Sequence, residues 1–322
     1  MKILITGITG MVGSHLAEYI LADHPSVEVH GLIRWRSPLD NIRQILPQIH
    51  LHYAELRDLN SLIVLLNKVK PEKIFHLAAQ SFVTTSFDAP ADTLHTNVIG
   101  TTNLLDAVRI TGIDPTIHIC SSSEVYGQVT AEELPIKENN PFRPASPYAV
   151  SKTGEDMISL QYFLSYGIKT IRTRMFTHTG PRRGDGFAES AFAKQIAEIE
   201  AGIKTDSVKV GNLDSVRTFA DVRDAVKAYW LLLEKCTPGE VYNIGGDRTM
   251  TIGDMLEMMK GMATCPINHE VDPALLRPSD VTLQIPDISK FQNATGWKPE
   301  ISVEQTFQDL LDYHRNRIKK GR

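Results

Sequence analysis

The chain has 322 residues, enough for one large domain or two modest ones, and its 42% hydrophobic and 22% charged residues are ordinary for a globular protein. Its 34 Lys and Arg against 38 Asp and Glu leave a net charge of −4, so no basic field is present to hold nucleic acid or an anionic membrane surface. Apolar runs such as Met1 to Ile5 fall far short of the roughly 18 residues of a membrane span, and the N-terminus lacks a secretory pattern. The expectation is a cytoplasmic protein with no nucleic-acid or membrane partner. Cys120, Cys236 and Cys265 are too few and too scattered for a disulfide framework or a zinc site, and no metal is expected.

Lys2 to Thr6 is a β-rich run closed by glycines, and Gly13 to Leu21 carries Leu16, Ile20 and Leu21 at helical spacing. The alternation continues: strand Val27 to Ile33, helix Leu59 to Val69, strand Lys73 to Leu77, helix Thr96 to Thr111, strand Thr116 to Cys120, helix Tyr148 to Tyr166 and strand Ile168 to Arg174. Alternation of this kind predicts an α/β fold, a Rossmann-type doubly wound parallel sheet. From about Thr177 the pattern loosens, with helices over Ala188 to Ala201 and Ser302 to Arg315. The expected division is a dinucleotide-binding domain over 1–176 and a smaller irregular subdomain over 177–322, with some later segments returning to the first. That subdomain would form the second wall of a cleft at the carboxyl ends of the strands.

The run Gly7-Ile8-Thr9-Gly10-Met11-Val12-Gly13 lies between the first strand and the first helix, where glycines permit a tight turn and the helix N-terminus offers free N–H groups to a pyrophosphate. The second strand ends in Arg34-Trp35-Arg36-Ser37 in place of the acid that usually binds a ribose 2′-hydroxyl. Two guanidinium groups and a hydroxyl suit a 2′-phosphate, so NADP(H) is expected over NAD(H). Glu55 and Leu56 end the next strand, where they could meet the adenine.

Tyr148 and Lys152 stand four residues apart on one helix face. Ser121-Ser122-Ser123-Glu124 closes the strand before them. The set offers a proton donor and acceptor at Tyr148, a cation at Lys152 to lower the phenol's pKa, hydroxyls at Ser122 and Ser123, and a carboxylate at Glu124. Such a set suits hydride chemistry on an alcohol or ketone.

With these residues in view, the chain resembles the extended short-chain dehydrogenase/reductase family. Within it, the match is to the group of GDP-mannose 4,6-dehydratases and GDP-6-deoxy-4-keto-D-mannose reductases. The segments that carry the resemblance are GITGMVG, GLIRWRSPLDNI, FHLAAQSFVTTSFDAP, SSSEVYG, RPASPYAVSK, FTHTGPRRG, VGNLDSVRTFADVRDAVKAYW, VYNIGG, RPSDV and TGWKP, spread over nearly the whole length. LAAQS, the arginine loop, PRRG and the Ser122-Ser123-Glu124 segment are more similar to the dehydratases. The C-terminal third and the 24-residue step from Glu124 to Tyr148 are more similar to the reductases.

The resemblance implies catalytic roles for Ser122, Ser123, Glu124, Tyr148 and Lys152. It adds Leu77, Ala78, Ala79, Ser81, His178 and Arg183 to the cofactor site. It places a GDP-sugar against Ser81, Ser122, Glu124, Tyr148, Thr177, Lys194, Val210, Arg217 and Arg277, with the two arginines on the diphosphate. It implies a homo-oligomer, dimer or tetramer, in which the loop of Arg34 to Arg36 lies at a subunit contact. Dehydration of GDP-mannose is the leading expectation and reduction of the 4-keto sugar the alternative. A UDP- or dTDP-sugar epimerase or dehydratase, and a non-catalytic NADP-binding regulator, are the further readings.

Overall fold

The computed structural model describes residues 1–276 and 281–321. The first half builds β1 (Lys2–Thr6), α1 (Met11–Asp23), β2 (Glu28–Ile33), β3 (His50–Tyr53), α2 (Leu59–Val69) and β4 (Lys73–His76). Two short helices, α3 (Val83–Asp88) and α4 (Pro90–Leu94), lead to α5 (Gly100–Thr111), β5 (Thr116–Ser122), α6 (Pro147–Tyr166) and β6 (Thr170–Met175). The second half holds β7 (His178–Thr179), α7 (Ala188–Glu200), β8 (Ser207–Val210), β9 (Val216–Thr218), β10 (Ala220–Asp221) and α8 (Val222–Lys235). It continues through β11 (Val241–Ile244), β12 (Thr249–Thr251), α9 (Ile252–Gly261), β13 (Asn268–Val271), β14 (Leu283–Gln284), α10 (Ser289–Thr295) and α11 (Val303–Lys319).

Seven parallel strands form the main sheet in the order β11-β6-β5-β4-β1-β2-β3. The strand order reverses beside β1, which pairs with β2 on one side and β4 on the other, and this switch point opens a crevice at the carboxyl ends. α1 and α8 pack together over one face, where Leu16, Ile20, Tyr229 and Trp230 join Ile3 and Ile5 in the core. The other face is covered by α2, α5 and α6, with Leu62, Leu66, Leu104 and Leu105 packed on Leu4 and Ile74. The expected doubly wound sheet is present; α8 packs on it and β11 forms one of its edge strands. A separate core of Phe192, Ile196, Leu256, Phe307 and Leu311 joins α7, α9 and α11.

Local chemistry sets the elements that carry the site. The Asp58 carboxylate accepts from the N–H groups of Asn60 and Ser61 and starts α2. Ser146 accepts from Ala149 N–H, and Pro147 occupies the first helical turn, so α6 begins one residue before Tyr148. Asp156, fully buried on α6, receives Arg172 and Arg174 of β6 at 2.8 Å each and locks the helix to the sheet. The helix expected from Thr96 begins at Gly100, because His95–Ile99 forms a π-turn after α4.

Candidate active site

A cleft of about 1200 Å³ runs along the carboxyl ends of the strands, between the sheet and the segments after Thr177. Its floor at one end is the glycine turn. Gly7 has φ +73, and a Cβ built at Gly13 would stand 2.3 Å from the Gly7 carbonyl oxygen, so the close return of the chain admits no side chain there. Asn41 donates to the Thr9 carbonyl at 2.9 Å and braces the turn from the long β2–β3 connection. The cradle suits the pyrophosphate of a dinucleotide.

Gly7, Thr9, Gly10, Met11, Val12, Gly13, Arg34, Ser37, Glu55, Leu56, Leu77, Ala78, Ala79 and Ser81 all line this cleft. Ser37 accepts from Arg34 N–H at 3.0 Å, which folds the loop so that both face the site. Arg36 departs from expectation. Its guanidinium lies 4.2 Å over the Trp35 ring, outside the cleft lining, because a solvent-exposed indole offers it a cation–π partner.

Ser122, Ser123, Glu124, Tyr148 and Lys152 all line the same cleft. Ser122 accepts from Glu124 N–H at 3.2 Å and hydrogen-bonds the Tyr148 phenol. Ser123 donates to Gln284 Oε1 at 2.8 Å, and the Gln284 amide reaches Glu124 Oε1 at 3.4 Å. The Lys152 ammonium, 4% exposed as a residue, donates to the Cys120 carbonyl at 2.9 Å. Burial raises the phenol's pKa above its ordinary value, and the Lys152 cation and the Ser122 bond offset this only in part. The expected lowering of the phenol by Lys152 is therefore outweighed by burial.

Behind the lysine stands Glu155, whose Oε1 and Oε2 lie 3.0 and 3.1 Å from Lys152 Nζ. Burial pushes the Glu155 carboxyl up to about 7, against the pull of Lys152. Spacing alone does not single out Glu155 in the sequence, where it reads as one more helical acid.

On the outer wall, Thr177, His178, Arg183 and Arg217 line the cleft. Burial and the neighbouring Arg183 lower His178 to about 4, so the ring is neutral, and its Nδ1 lies 3.2 Å from the Phe176 carbonyl. Arg183 donates to Glu189 at 3.0 Å and packs on the Phe187 ring. Arg217 donates to the Val216 and Val281 carbonyls from within the wall. Lys194 does not line the cleft: it pairs with Asp185 at 2.6 Å, the nearest carboxylate on the preceding loop. The Val210 side chain is also away from the cleft, buried in the α7–α9–α11 core, while its neighbours Lys209 and Gly211 line the site. Arg277 lies outside the described residues.

Three residues outside the expected site set also contribute to the cleft. Gln284 joins Ser123 and Glu124 from β14; Asn41 braces the glycine turn; Arg182 ties the loop before α7 to α1 through Ser14 at 3.1 Å and Glu18 at 2.6 Å. Only the PRRG motif pointed toward Arg182, and nothing local pointed to Gln284.

Among the described residues, no group of His, Cys, Asp or Glu is arranged to hold a metal, and no helix is long and apolar enough to cross a membrane. The family model for GDP-mannose 4,6 dehydratase matches residues 4–310. A GDP-mannose 4,6-dehydratase of Yersinia enterocolitica is 33% identical, with 96% of this chain and 92% of that protein covered. A GDP-6-deoxy-D-mannose reductase of Pseudomonas aeruginosa is also 33% identical, with 99% of each covered. The structure of RMD from Pseudomonas aeruginosa complexed with NADPH superposes with a TM-score of 0.86 at 32% identity, covering 98% of this chain and 99% of that one. A cleft built on the glycine turn and lined by Tyr148, Lys152 and Glu124, and a match over nearly the whole length lead to one conclusion: the chain belongs to the GDP-mannose 4,6-dehydratase family.

Proposed function

We propose that the protein is an NADP-dependent GDP-mannose 4,6-dehydratase, which converts GDP-mannose to GDP-4-keto-6-deoxy-mannose and water. The observation that carries this reading is Glu124, a carboxylate in the cleft wall beside Ser122 and Tyr148 and met by the Gln284 amide. Reduction of a 4-ketone asks for a proton donor and a cation; a positioned carboxylate gains a task when a carbon-bound proton must be removed.

Arg34 and Ser37 would hold the 2′-phosphate, the glycine turn the pyrophosphate, and Lys152 the ribose beside the nicotinamide. When bound, NADP(H) would supply reversible hydride chemistry, for oxidation at C4 and later reduction at C6 of the sugar, with no net consumption. Tyr148, as its phenolate, accepts the C4 hydroxyl proton. The resulting 4-ketone acidifies the C5 hydrogen, and Glu124 removes it. Protonated Glu124, with the Ser123 hydroxyl beside it, hands that proton to the C6 hydroxyl, which leaves as water. Tyr148 returns its proton to C5. Arg217 and Arg277 would grip the diphosphate, and the segments from Thr177 onward would form the substrate wall.

Turnover of GDP-mannose in deuterium oxide tests the carbon acid chemistry. One solvent deuterium at C5 of the product is expected, since Tyr148 and Glu124 exchange with solvent; a product with no carbon-bound deuterium overturns the assignment.

The reductase reading is favoured by the end-to-end match to a GDP-6-deoxy-D-mannose reductase, by the C-terminal third and by the 24-residue step from Glu124 to Tyr148, and in that case NADPH would be oxidised stoichiometrically. The proposal includes a homo-oligomer, supported by Trp35, 74% exposed on the arginine loop, and a cytoplasmic location, which three cysteines without disulfides suit.

A further inference from the structure

The buried pair of Lys152 and Glu155 sits where neither charge can be screened by water. The lysine ammonium is held on two sides, by the Cys120 carbonyl at 2.9 Å and by both oxygens of Glu155 at 3.0 and 3.1 Å. Glu155 is 1% exposed and one helical turn beyond Lys152, so it backs the ammonium from the side away from the cleft opening. Other charged and titratable groups surround the pair. Tyr148 and Asp156 share α6; Cys120 and His118 come from β5, His76 from β4 and Tyr229 from α8. His76 and His118 are neutral because burial holds both near 3, and Asp156 is engaged by Arg172 and Arg174. Glu155 is thus the group that faces Lys152 with opposite charge at hydrogen-bond distance.

We propose that Glu155 is a positioning residue for the reaction. It anchors the Lys152 ammonium against the Cys120 carbonyl and raises the pH at which the Tyr148–Lys152 pair first loses a proton. The role rests on the reading of Tyr148 and Lys152 as the acid–base pair, and it deepens that reading by adding a third charge. A carboxylate beside the pair favours the charged lysine and disfavours the phenolate, so both effects delay the first loss of a proton from the pair.

The test reads the pair without any sugar substrate, so it stands apart from the question of which sugar is turned over. Tyrosine labelled at the phenolic carbon and lysine labelled at the ε-carbon are followed by NMR through a pH titration of the purified protein. Tyr148→Phe and Lys152→Arg assign the two signals. In Glu155→Gln, the first titration step of the Tyr148–Lys152 pair is expected to fall by about one to two pH units, whichever residue loses the proton. Glu155→Asp keeps the charge and is expected to restore most of the difference. Glu155→Ser, which leaves room for a water beside Nζ, replaces the glutamine variant where that variant does not fold, with the same fall expected. An unchanged or higher first step in a folded Gln or Ser variant overturns the proposal and leaves Glu155 as a structural ion-pair partner only.

Discussion

Ser123 Oγ donates to Gln284 Oε1 at 2.8 Å, a bond that ties the segment after β5 to β14, 161 positions along the chain. The same amide turns its NH₂ toward Glu124, so a buried glutamine from the outer wall sets the orientation of the proposed base. Replacing Gln284 with Leu keeps the volume and removes both bonds. Kcat with GDP-mannose is expected to fall about ten- to a hundredfold, with KM within about threefold, as when an interaction acts mainly in the transition state. A rise in KM with unchanged kcat would show that Gln284 serves substrate binding.

The arginine loop makes a sharper forecast than its sequence did. Arg34 faces the cleft, whereas Arg36 is stacked on Trp35. Arg34→Ala is expected to weaken NADP⁺ binding by about ten- to a hundredfold and leave NAD⁺ binding nearly unchanged, the loss of a charge-assisted contact costing about 1.5–3 kcal/mol. Arg36→Ala should change NADP⁺ affinity less than about threefold. Calorimetric titration of both variants with both cofactors decides the matter, and equal losses for the two would contradict the assigned geometry.

Asp156 carries two guanidinium groups in a fully buried position. Asp156→Ala leaves Arg172 and Arg174 buried without their carboxylate, and unfolding in urea is expected to show a loss of about 3–5 kcal/mol. A loss below about 1 kcal/mol would mean that water or the neighbouring carbonyls satisfy the arginines.

His76 and His118 are held near 3 by burial, well under the ordinary histidine value of 6.5. Their folded forms stay neutral while the unfolded chain takes up protons below pH 6.5, so the stability they contribute is full above that pH. It declines as pH falls toward 3, by about 1.4 kcal/mol per pH unit for each histidine. His118→Gln should flatten the acid slope of the unfolding free energy by one such contribution. A slope unchanged from the parent protein would show that His118 is protonated when folded.

Much of this architecture was legible because it is local. The strand–glycine–helix start, the helix Leu59 to Val69 and the placement of Tyr148 and Lys152 on one face follow from periodicity, caps and an i,i+4 spacing. What stayed hidden depends on side-chain direction or on distant segments. Arginines two positions apart, at 34 and 36, look alike in a string, and the exposed Trp35 ring between them takes Arg36. Lys194 sits on the expected helix, yet Asp185 takes its ammonium. Val210 lies in the right segment with its side chain on the core side of β8, as alternation along a strand requires of one neighbour in two. Gln284 and Glu155 acquire their meaning from partners that the fold supplies, Ser123 across the cleft and Lys152 in a dry interior.

Dehydration of GDP-mannose with Glu124 as base is read out by incubation with GDP-mannose and catalytic NADP⁺, followed by mass spectrometry. Loss of one water from the sugar without net NADPH formation is expected, with that turnover abolished in Glu124→Gln. No reaction with GDP-mannose, together with one NADPH oxidised per GDP-4-keto-6-deoxy-mannose supplied, would contradict it and establish the reductase.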